Sequence, residues 1–218
     1  MVTGAAGHLG RAVAKSFADL GANLVLLDIR EETPGAHLFL SADLRNADSV
    51  RTAVGKALER FGRIDVLCNI AGAFRMGPPV HETKDADWDF LFDVNAKSVL
   101  HTARAVVPAM LQAGGGKIVN VGAFAAQRGA ASMGAYVASK SALIRITETM
   151  AAELREKNIN VNCVLPTIID SPDNRAAMPQ ADPRRWVAPQ DLAAVIVFLA
   201  SDAARAVHGA AIPVTGLS

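Results

Sequence analysis

Residues 2–13 of the chain read VTGAAGHLGRAV. The stretch begins with β-branched residues, turns through glycines at positions 4, 7 and 10, and continues as a helical pattern. Glycines allow a tight turn and let backbone N–H groups approach an anion at the N-terminus of the helix. The stretch therefore predicts a strand–turn–helix unit that can hold a pyrophosphate, with glycines that serve packing alone as the alternative interpretation.

Downstream of this unit, short β-branched and Leu-rich runs alternate with longer helical patterns. The predicted strands are residues 23–28, 37–41, 64–70, 117–121, 160–165 and 211–214, and the predicted helices are residues 9–20, 47–61, 85–112, 134–157 and 189–201. Such alternation predicts an α/β fold in which a parallel sheet carries helices on both faces. Because no linker or repeat divides the sequence, we expect one doubly wound, Rossmann-type domain over residues 1–218.

Two places depart from a regular alternation. The first strand is reduced to residues 1–3, so part of a central strand is missing or lies upstream. The link over residues 30–36 is too short for a useful crossover helix. Either the architecture drops that helix or a segment is absent, and the sequence does not decide between these interpretations.

The composition excludes several classes of protein. A formal net charge of +1 gives no electrostatic basis for binding nucleic acid or an anionic membrane. The longest apolar run, residues 192–200, is about half a membrane span, and the N-terminus lacks a signal-peptide pattern. We therefore expect a cytoplasmic protein. Cys68 and Cys163 lie in apolar runs without metal-ligand spacing, so we expect reduced core residues and no metal site.

An acidic residue follows the glycine turn at an informative distance. Asp28 ends the next predicted strand, 18 residues after Gly10, close to the spacing of about 20 at which an acid binds the ribose hydroxyls of adenosine. A carboxylate at that position repels a 2′-phosphate. The sequence therefore predicts NAD(H) as the preferred cofactor, with NADP(H) as a second cofactor that the nearby Arg30 could help to accept.

A tyrosine and a lysine lie four residues apart in a predicted helix. Tyr136, the one tyrosine of the chain, and Lys140 therefore share a helix face. A neighbouring ammonium stabilises tyrosinate, so we expect Lys140 to lower the pKa of Tyr136 toward a range useful for proton transfer. An ordinary surface pair is the alternative.

The order of these motifs resembles that of the short-chain dehydrogenases/reductases over essentially the whole chain. The motifs are the glycine turn, Asp28, Asp43-Leu44, Asn69-Ile70-Ala71-Gly72, Asp93-Val94-Asn95 and the Tyr136/Lys140 pair. The resemblance implies an enzyme that transfers hydride between a nicotinamide and a small organic substrate, with Tyr136, Lys140 and Asn95 as catalytic residues. Asn95 would hold a water in a proton relay to Lys140.

The resemblance also implies a set of cofactor-binding residues. Asp43 and Leu44 would border the adenine, Asn69, Ala71 and Gly72 would lie beneath the nucleotide, and Lys140 would bind the nicotinamide ribose. A segment from Pro166 to Ser171 would meet the carboxamide. The full set is Gly4, Gly7, His8, Leu9, Gly10, Asp28, Ile29, Asp43, Leu44, Asn69, Ala71, Gly72, Tyr136, Lys140, Pro166, Ile169 and Ser171. Asn69 and Asn95 could instead simply tie strands together.

Two residues depart from the usual family pattern. His8 occupies a position where the commonest turn has glycine, and we assign it no chemical role beyond its place in the turn. Ala123 stands thirteen residues before Tyr136, where the family usually carries a serine that binds the reacting carbonyl oxygen. Loss of one such donor typically costs about 10²–10³ in rate. Ser98, Ser132 and Ser139 are candidate substitutes, none at the expected spacing.

The missing serine is also a feature of the dihydropteridine reductase branch of this family. That branch lacks the helix after the second strand, uses NADH, and carries segments similar to residues 122–136 and 165–186. The resemblance implies a pterin-like conjugated ring as substrate. We expect its pocket at residues 73–79, 124–128 and 167–186, where Phe74, Phe124, Met178 and Trp186 suit a flat ring.

Two other functions remain open at this point. One is a carbonyl or alcohol dehydrogenase of the broad family in which another donor replaces the missing hydroxyl. The other is a non-catalytic NAD(H)-binding sensor or assembly protein. The Ala-rich helices 85–112 and 134–157 and the family resemblance imply a homodimer or homotetramer, with packing inside one subunit as the alternative.

Overall fold

The computed structural model describes residues 1–30 and 36–218, and its core is a seven-stranded sheet. The strands are β1 (Val2–Thr3), β2 (Val25–Asp28), β3 (Leu38–Ser41), β4 (Val66–Asn69), β5 (Gly116–Val121), β6 (Ile159–Pro166) and β7 (Ala211–Val214). Every pairing is parallel, and the order is β3-β2-β1-β4-β5-β6-β7. The predicted doubly wound α/β fold is therefore confirmed.

Helices cover both faces of this sheet. They are α1 (His8–Asp19), α2 (Ala47–Phe61), α3 (Asp85–Phe92), α4 (Ser98–Gln112), α5 (Gly134–Leu154), α6 (Pro172–Ala177) and α7 (Pro189–Leu199). Helices α2, α4 and α5 pack on one face, and α1 and α7 pack on the other. Adjacent strand residues alternate between these layers: Leu67 packs under the first group and Cys68 under the second. Cys68 and Cys163 are buried and free, as predicted.

Two features of the chain differ from the sequence expectations, and a third lies mostly outside the described residues. The predicted helix 85–112 contains a π-helical segment, Asp93–Lys97, between α3 and α4. Helix α6 was not predicted, because six residues are too few to show a periodicity. The short β2–β3 link falls mostly on residues 31–35, which lie outside the described residues, and no helix occurs in its described part.

The two-residue strand β1 lies at the centre of the sheet. Val2 and Thr3 pair with β2, and Val2 also pairs with Cys68 of β4. The Thr3 hydroxyl accepts hydrogen bonds from the backbone N–H groups of Ile70 and Ala71, at 3.0 and 3.2 Å. These bonds hold the end of β4 beside the glycine turn, where the sheet order reverses direction. No helix in the described chain is long and apolar enough to cross a bilayer.

Packing of α7 offers a test of this arrangement. Ile196 is fully buried between α1 and the sheet, whereas Phe198 on the same helix is 45% exposed. We expect Ile196→Ala to lower the free energy of unfolding by about 2–5 kcal/mol, because the substitution removes buried methyl groups and leaves a cavity in the core. The matched change Phe198→Ala should cost less than about 1 kcal/mol. Urea denaturation followed by circular dichroism measures both, and equal losses would contradict the assigned faces.

Candidate active site

A cleft of about 1510 Å³ runs along the carboxyl ends of the central strands. It collects most of the residues that the sequence singled out. Those lining it are Gly4, Gly7, His8, Leu9, Gly10, Asp28, Ile29, Asp43, Leu44, Ala71, Gly72, Tyr136, Lys140, Pro166 and Ile169. Because the sheet order is β3-β2-β1-β4-β5-β6, residues after β1, β2 and β3 form one half of the cleft and residues after β4, β5 and β6 form the other.

The glycine turn leaves room for a bound phosphate group. Gly4 has a φ of +63°, and a Cβ there would lie 2.9 Å from the backbone of Ala71. A Cβ on Gly10 would collide with the Gly4 carbonyl. Gly7 is the N-cap of α1 and provides no side-chain cap, so the first N–H groups of the helix are left for another acceptor. The turn therefore fits a dinucleotide pyrophosphate, and His8 is an exposed member of it.

Two carboxylates mark the ends of β2 and β3, and each has an arginine partner. Asp28 accepts hydrogen bonds from the Ala6 N–H at 3.0 Å and the Arg30 N–H at 3.1 Å, so it also ties the glycine turn to β2. Asp43 pairs with Arg45 at 2.9 Å. The hydrogen bond from Arg45 lowers the pKa of Asp43. Both carboxylates line the cleft.

Asn69 does not line this cleft. Its side chain is buried, donates to the Asn120 side chain at 2.8 Å and accepts from the Thr102 hydroxyl at 2.9 Å. Asn120 in turn donates to Thr147 of α5 at 2.9 Å. The side chain of Asn69 therefore ties β4 to β5 and α4, which was the alternative interpretation, while Ala71 and Gly72 after it do face the cleft.

Asn95 also lies just outside the cleft, in the π-helical segment between α3 and α4. Its Oδ1 accepts from the Ala73 N–H at 2.9 Å, and its Nδ2 donates to the Ala73 carbonyl and the Ser139 hydroxyl, both at 3.0 Å. A Cβ on Gly72 would lie 3.1 Å from Asn95 Oδ1 and 3.0 Å from Lys140 Nζ. Asn95 thus joins the loop after β4 to α5 and lies beside the lysine.

Lys140 and Tyr136 extend from α5 toward the end of β5. The Lys140 ammonium is buried and donates to the Val121 carbonyl at 2.8 Å. Burial lowers the pKa of Lys140 to about 8. Burial also raises the pKa of Tyr136 to about 12. The predicted lowering of the tyrosine pKa is therefore wrong for this structure, because desolvation of the phenolate dominates.

The hydroxyl missing at Ala123 has no replacement among the proposed serines. Ala123 is buried and lines the cleft. Ser139 donates to the Tyr136 carbonyl at 2.8 Å, and Ser98 donates to the Val94 carbonyl at 2.6 Å, so both hydroxyls are engaged with the backbone. Ser132 does not line the cleft.

The expected ring-binding side chains are only partly brought together. Phe74, Phe124 and Met178 line the cleft, and the Phe74 ring meets Tyr136 edge-on at 4.9 Å between centroids. Trp186 is instead buried away from the cleft, next to the Ile169–Val187 bridge. Ser171 caps α6 by accepting from the Asn174 N–H at 3.2 Å and does not line the cleft.

Comparison with known proteins places this geometry in a family. A family model described as enoyl-(acyl carrier protein) reductase matches residues 4–216. D-threitol dehydrogenase of Mycolicibacterium smegmatis is 34% identical over 236 residues, covering 99% of this chain and 90% of that protein. The 2-dehydro-3-deoxy-D-gluconate 5-dehydrogenase of Escherichia coli is 34% identical over 238 residues, covering 99% and 93%. The chain belongs to the short-chain dehydrogenase/reductase family.

Solved structures of this family superpose closely. Carveol dehydrogenase from Mycobacterium avium, solved in complex with NAD, has a TM-score of 0.89 at 27% identity, covering 99% of this chain and 95% of that one. Aldohexose dehydrogenase from Thermoplasma acidophilum has a TM-score of 0.90 at 28% identity, covering 99% and 92%. As a short-chain dehydrogenase/reductase, the chain is an oxidoreductase. In its described part, no group of three or more His, Cys, Asp or Glu side chains is placed to hold a metal ion.

Some residues at this short-chain dehydrogenase/reductase site were not predicted. Arg45 and Phe90 line the cleft without having been singled out, whereas Asn174 lies within the predicted pocket segment 167–186. His101 is buried on α4, and its Nδ1 lies 2.8 Å from the Leu44 carbonyl, which can only accept a hydrogen bond. This contact fixes the loop after β3. The spacing of Arg45 from Asp43 could have suggested a turn, but only the packing of α3 and α4 reveals Phe90 and His101.

The glycine turn yields a test that separates binding from stability. We expect Gly10→Ala to weaken NADH binding at least tenfold, because its Cβ would displace the Gly4 carbonyl and open the turn. Gly55→Ala in α2 is the control, since a Cβ there meets nothing within 4 Å. It should stabilise the helix slightly and leave binding unchanged. NADH fluorescence titration measures the affinity of both variants. Unchanged NADH binding by Gly10→Ala would contradict the assignment of the pyrophosphate to the glycine turn.

Burial of Lys140 predicts that this residue lowers the stability of the fold in a pH-dependent way. Lys140 binds its proton less tightly in the folded chain than in the unfolded chain. Burial of the ammonium therefore destabilises the fold to the full extent below pH about 8. This cost disappears as the pH rises from about 8 toward 10.5, the pKa of lysine in the unfolded chain. We expect Lys140→Met to raise the free energy of unfolding by about 1–3 kcal/mol at pH 7. The gain over wild type should shrink above pH about 8. Urea titrations at several pH values measure this difference.

The exposed position 56 on α2 supplies the control for that experiment. Lys56→Met should change the free energy of unfolding by less than about 0.5 kcal/mol. A loss of stability in Lys140→Met at pH 7 would show that the hydrogen bond to Val121 outweighs the cost of burying the ammonium.

Proposed function

We propose that the chain uses NADH to reduce a flat, conjugated ring of the pterin type, as the dihydropteridine reductase branch does. The observation that carries this proposal is Ala123, which lines the cleft where the family's serine would donate to a carbonyl oxygen. The hydroxyls of Ser98 and Ser139 are engaged with the backbone. Without that donor, a plain ketone would lose about 10²–10³ in rate, whereas an electron-poor ring accepts hydride more readily.

The walls of the cleft support a ring substrate. Phe74, Phe124 and Met178 contribute two aromatic faces and a thioether around the approach to Tyr136. Phe74 and Phe124 are 57% and 37% exposed, so each offers apolar surface that a bound ring would cover. A flat ring would thereby remove apolar area from water and stack on aromatic faces.

The other half of the cleft supports a dinucleotide with a free 2′-hydroxyl. We assign the pyrophosphate to the N–H groups of His8 and Leu9 at the start of α1, the ribose to Asp28 and Ile29, and the adenine to Asp43 and Leu44. Buried Asp28 would repel a 2′-phosphate, which favours NADH. Arg30 and Arg45 line the same region, but each is paired with a carboxylate, so NADPH remains the weaker cofactor in this proposal.

The proposed chemistry rests on Tyr136 and Lys140 of α5, with Asn95 and the segment after β6 in supporting roles. A bound NADH supplies the hydride. Because burial raises the pKa of Tyr136 to about 12, the phenol carries its proton at neutral pH and can donate it to the ring nitrogen or oxygen. Lys140 would bind the ribose hydroxyls, and Asn95 would position the loop at Ala73 and the relay beside the lysine. Pro166 and Ile169 would contact the carboxamide.

A carbonyl or alcohol dehydrogenase is the second candidate. The names of the relatives favour it, because D-threitol and aldohexose are polyhydroxylated substrates rather than conjugated rings. In this case Tyr136 would act alone on the carbonyl oxygen.

We further propose that two or four copies associate through the α3–α4 and α5 region. Trp88, Leu100 and Leu111 support this proposal, because they are large apolar side chains that remain 37–44% exposed on α3 and α4.

A substrate panel with matched variants tests the function. We expect the wild-type chain to oxidise NADH with quinonoid 6-methyldihydropterin and with benzoquinone at least 100-fold faster than with cyclohexanone, after subtraction of the uncatalysed rates. Ala123→Ser should raise kcat/KM for cyclohexanone by roughly 10²-fold, because it restores the missing donor. Ala126→Ser is the control, since Ala126 is buried in the same turn and does not line the cleft.

The outcomes separate the candidates. Ordinary turnover of cyclohexanone by the wild-type chain would favour the carbonyl dehydrogenase. Tight binding of NADH without oxidation by any panel member, unchanged in Tyr136→Phe, would favour a sensor or assembly protein. Loss of turnover with retained NADH binding in Tyr136→Phe is the result that our proposal requires.

A further inference from the structure

The charged side chains of the cleft are distributed unevenly. Its two carboxylates, Asp28 and Asp43, lie at the ends of β2 and β3, and each is paired with an arginine. Beyond β4, β5 and β6, the described lining residues include no acidic side chain. The substrate half therefore carries positive charge without a compensating carboxylate.

Arg128 supplies a cation to that half. It follows the 3₁₀ turn Phe124–Gln127 after β5, has an extended backbone with φ −155° and ψ 160°, and lines the cleft. Arg30 and Arg45, the other arginines of the lining, are held by Asp28 and Asp43. Within the described chain, no hydrogen bond, ion pair or ring contact engages the Arg128 guanidinium, so its five donors remain available.

We propose that Arg128 is a specificity residue that binds a carboxylate carried by the substrate, so that the enzyme prefers an acidic ring compound to its neutral analogue. The inference rests on the proposed function for the position of the reacting ring beside Tyr136. A planar guanidinium matches a carboxylate in a bidentate geometry, which fixes orientation as well as charge. Phe74, Phe124 and Met178 would then hold the apolar body of the same molecule.

The other cation of this half cannot take that role. Lys140 is buried and already donates to the Val121 carbonyl, whereas Arg128 is exposed at the cleft surface and can adjust to a ligand. An exposed arginine is also partly screened by salt, so the preference for the acid should decrease as ionic strength rises. The carboxylate would therefore lie toward solvent while the ring enters the cleft.

Equilibrium binding tests the proposal without requiring turnover. We expect the enzyme with NAD⁺ to bind benzoate at least tenfold more tightly than benzamide in isothermal titration calorimetry. Arg128→Gln should weaken benzoate binding roughly 10- to 100-fold and leave benzamide unchanged, because it removes a charge-assisted pair. Arg128→Lys should recover part of the preference, since it restores the charge without the planar fork. Arg155→Gln, an exposed arginine in the turn after α5 and outside the cleft, should match wild type.

Steady-state rates give the second readout. NADH oxidation with quinonoid 6-carboxydihydropterin should exceed that with the 6-carboxamide in the wild-type enzyme, and Arg128→Gln should remove the difference through KM. Absence of turnover with either pterin would count against the proposed function, while calorimetry would still report on Arg128.

Three results would overturn the inference. One is equal binding, or no binding, of benzoate and benzamide by the wild-type enzyme. Another is an equal loss in Arg155→Gln, which would show a general charge effect. The third is weaker NAD⁺ binding in Arg128→Gln with an unchanged ratio of acid to amide, which would assign the arginine to the dinucleotide.

Discussion

The divergence of the chain at β1 and β4 is the constraint on which the site depends. These parallel strands are neighbours at the sheet centre, but the connection after β1 enters α1 on one face and the connection after β4 leads to α4 on the other. Their loops must therefore separate, and a crevice opens at the carboxyl ends. The Thr3 hydroxyl, which binds the backbone after β4, keeps the two strand ends in register there.

Burial shifts the pKa values of Tyr136 and Lys140, two side chains in the first two turns of α5. The same desolvation that keeps the Tyr136 phenol protonated at neutral pH weakens the hold of Lys140 on its proton. A protonated phenol is suited to donating a proton during reduction, and a lysine with a pKa of about 8 can exchange one near neutral pH. Near neutral pH the buried Lys140 ammonium costs folding energy, whereas the Tyr136 phenol is uncharged and adds no such electrostatic cost.

Ala123 and the side chains around it change what such a site can recognise. In place of a hydroxyl that fixes one oxygen atom, the cleft has apolar rings and an exposed arginine. Under the proposed function, binding energy would come from area and charge at a distance from the reacting atoms rather than from a donor at the reacting oxygen. The hydrogen bonds of Asn69, Asn95 and Ser171 contribute indirectly, because each holds a strand, loop or helix that lines the cleft.

The sequence by itself determined the fold, because the alternation of apolar runs and helical patterns reports directly on burial in a layered α/β structure. It also determined the glycine turn, Asp28 and the Tyr136/Lys140 pair, whose spacings reflect local geometry. Only the tertiary structure decided that Asn69 binds protein groups rather than lining the cleft, that Trp186 is buried elsewhere, and that the tyrosine pKa rises. Hydrogen-bond partners and desolvation depend on residues distant in the chain, and no local pattern encodes them.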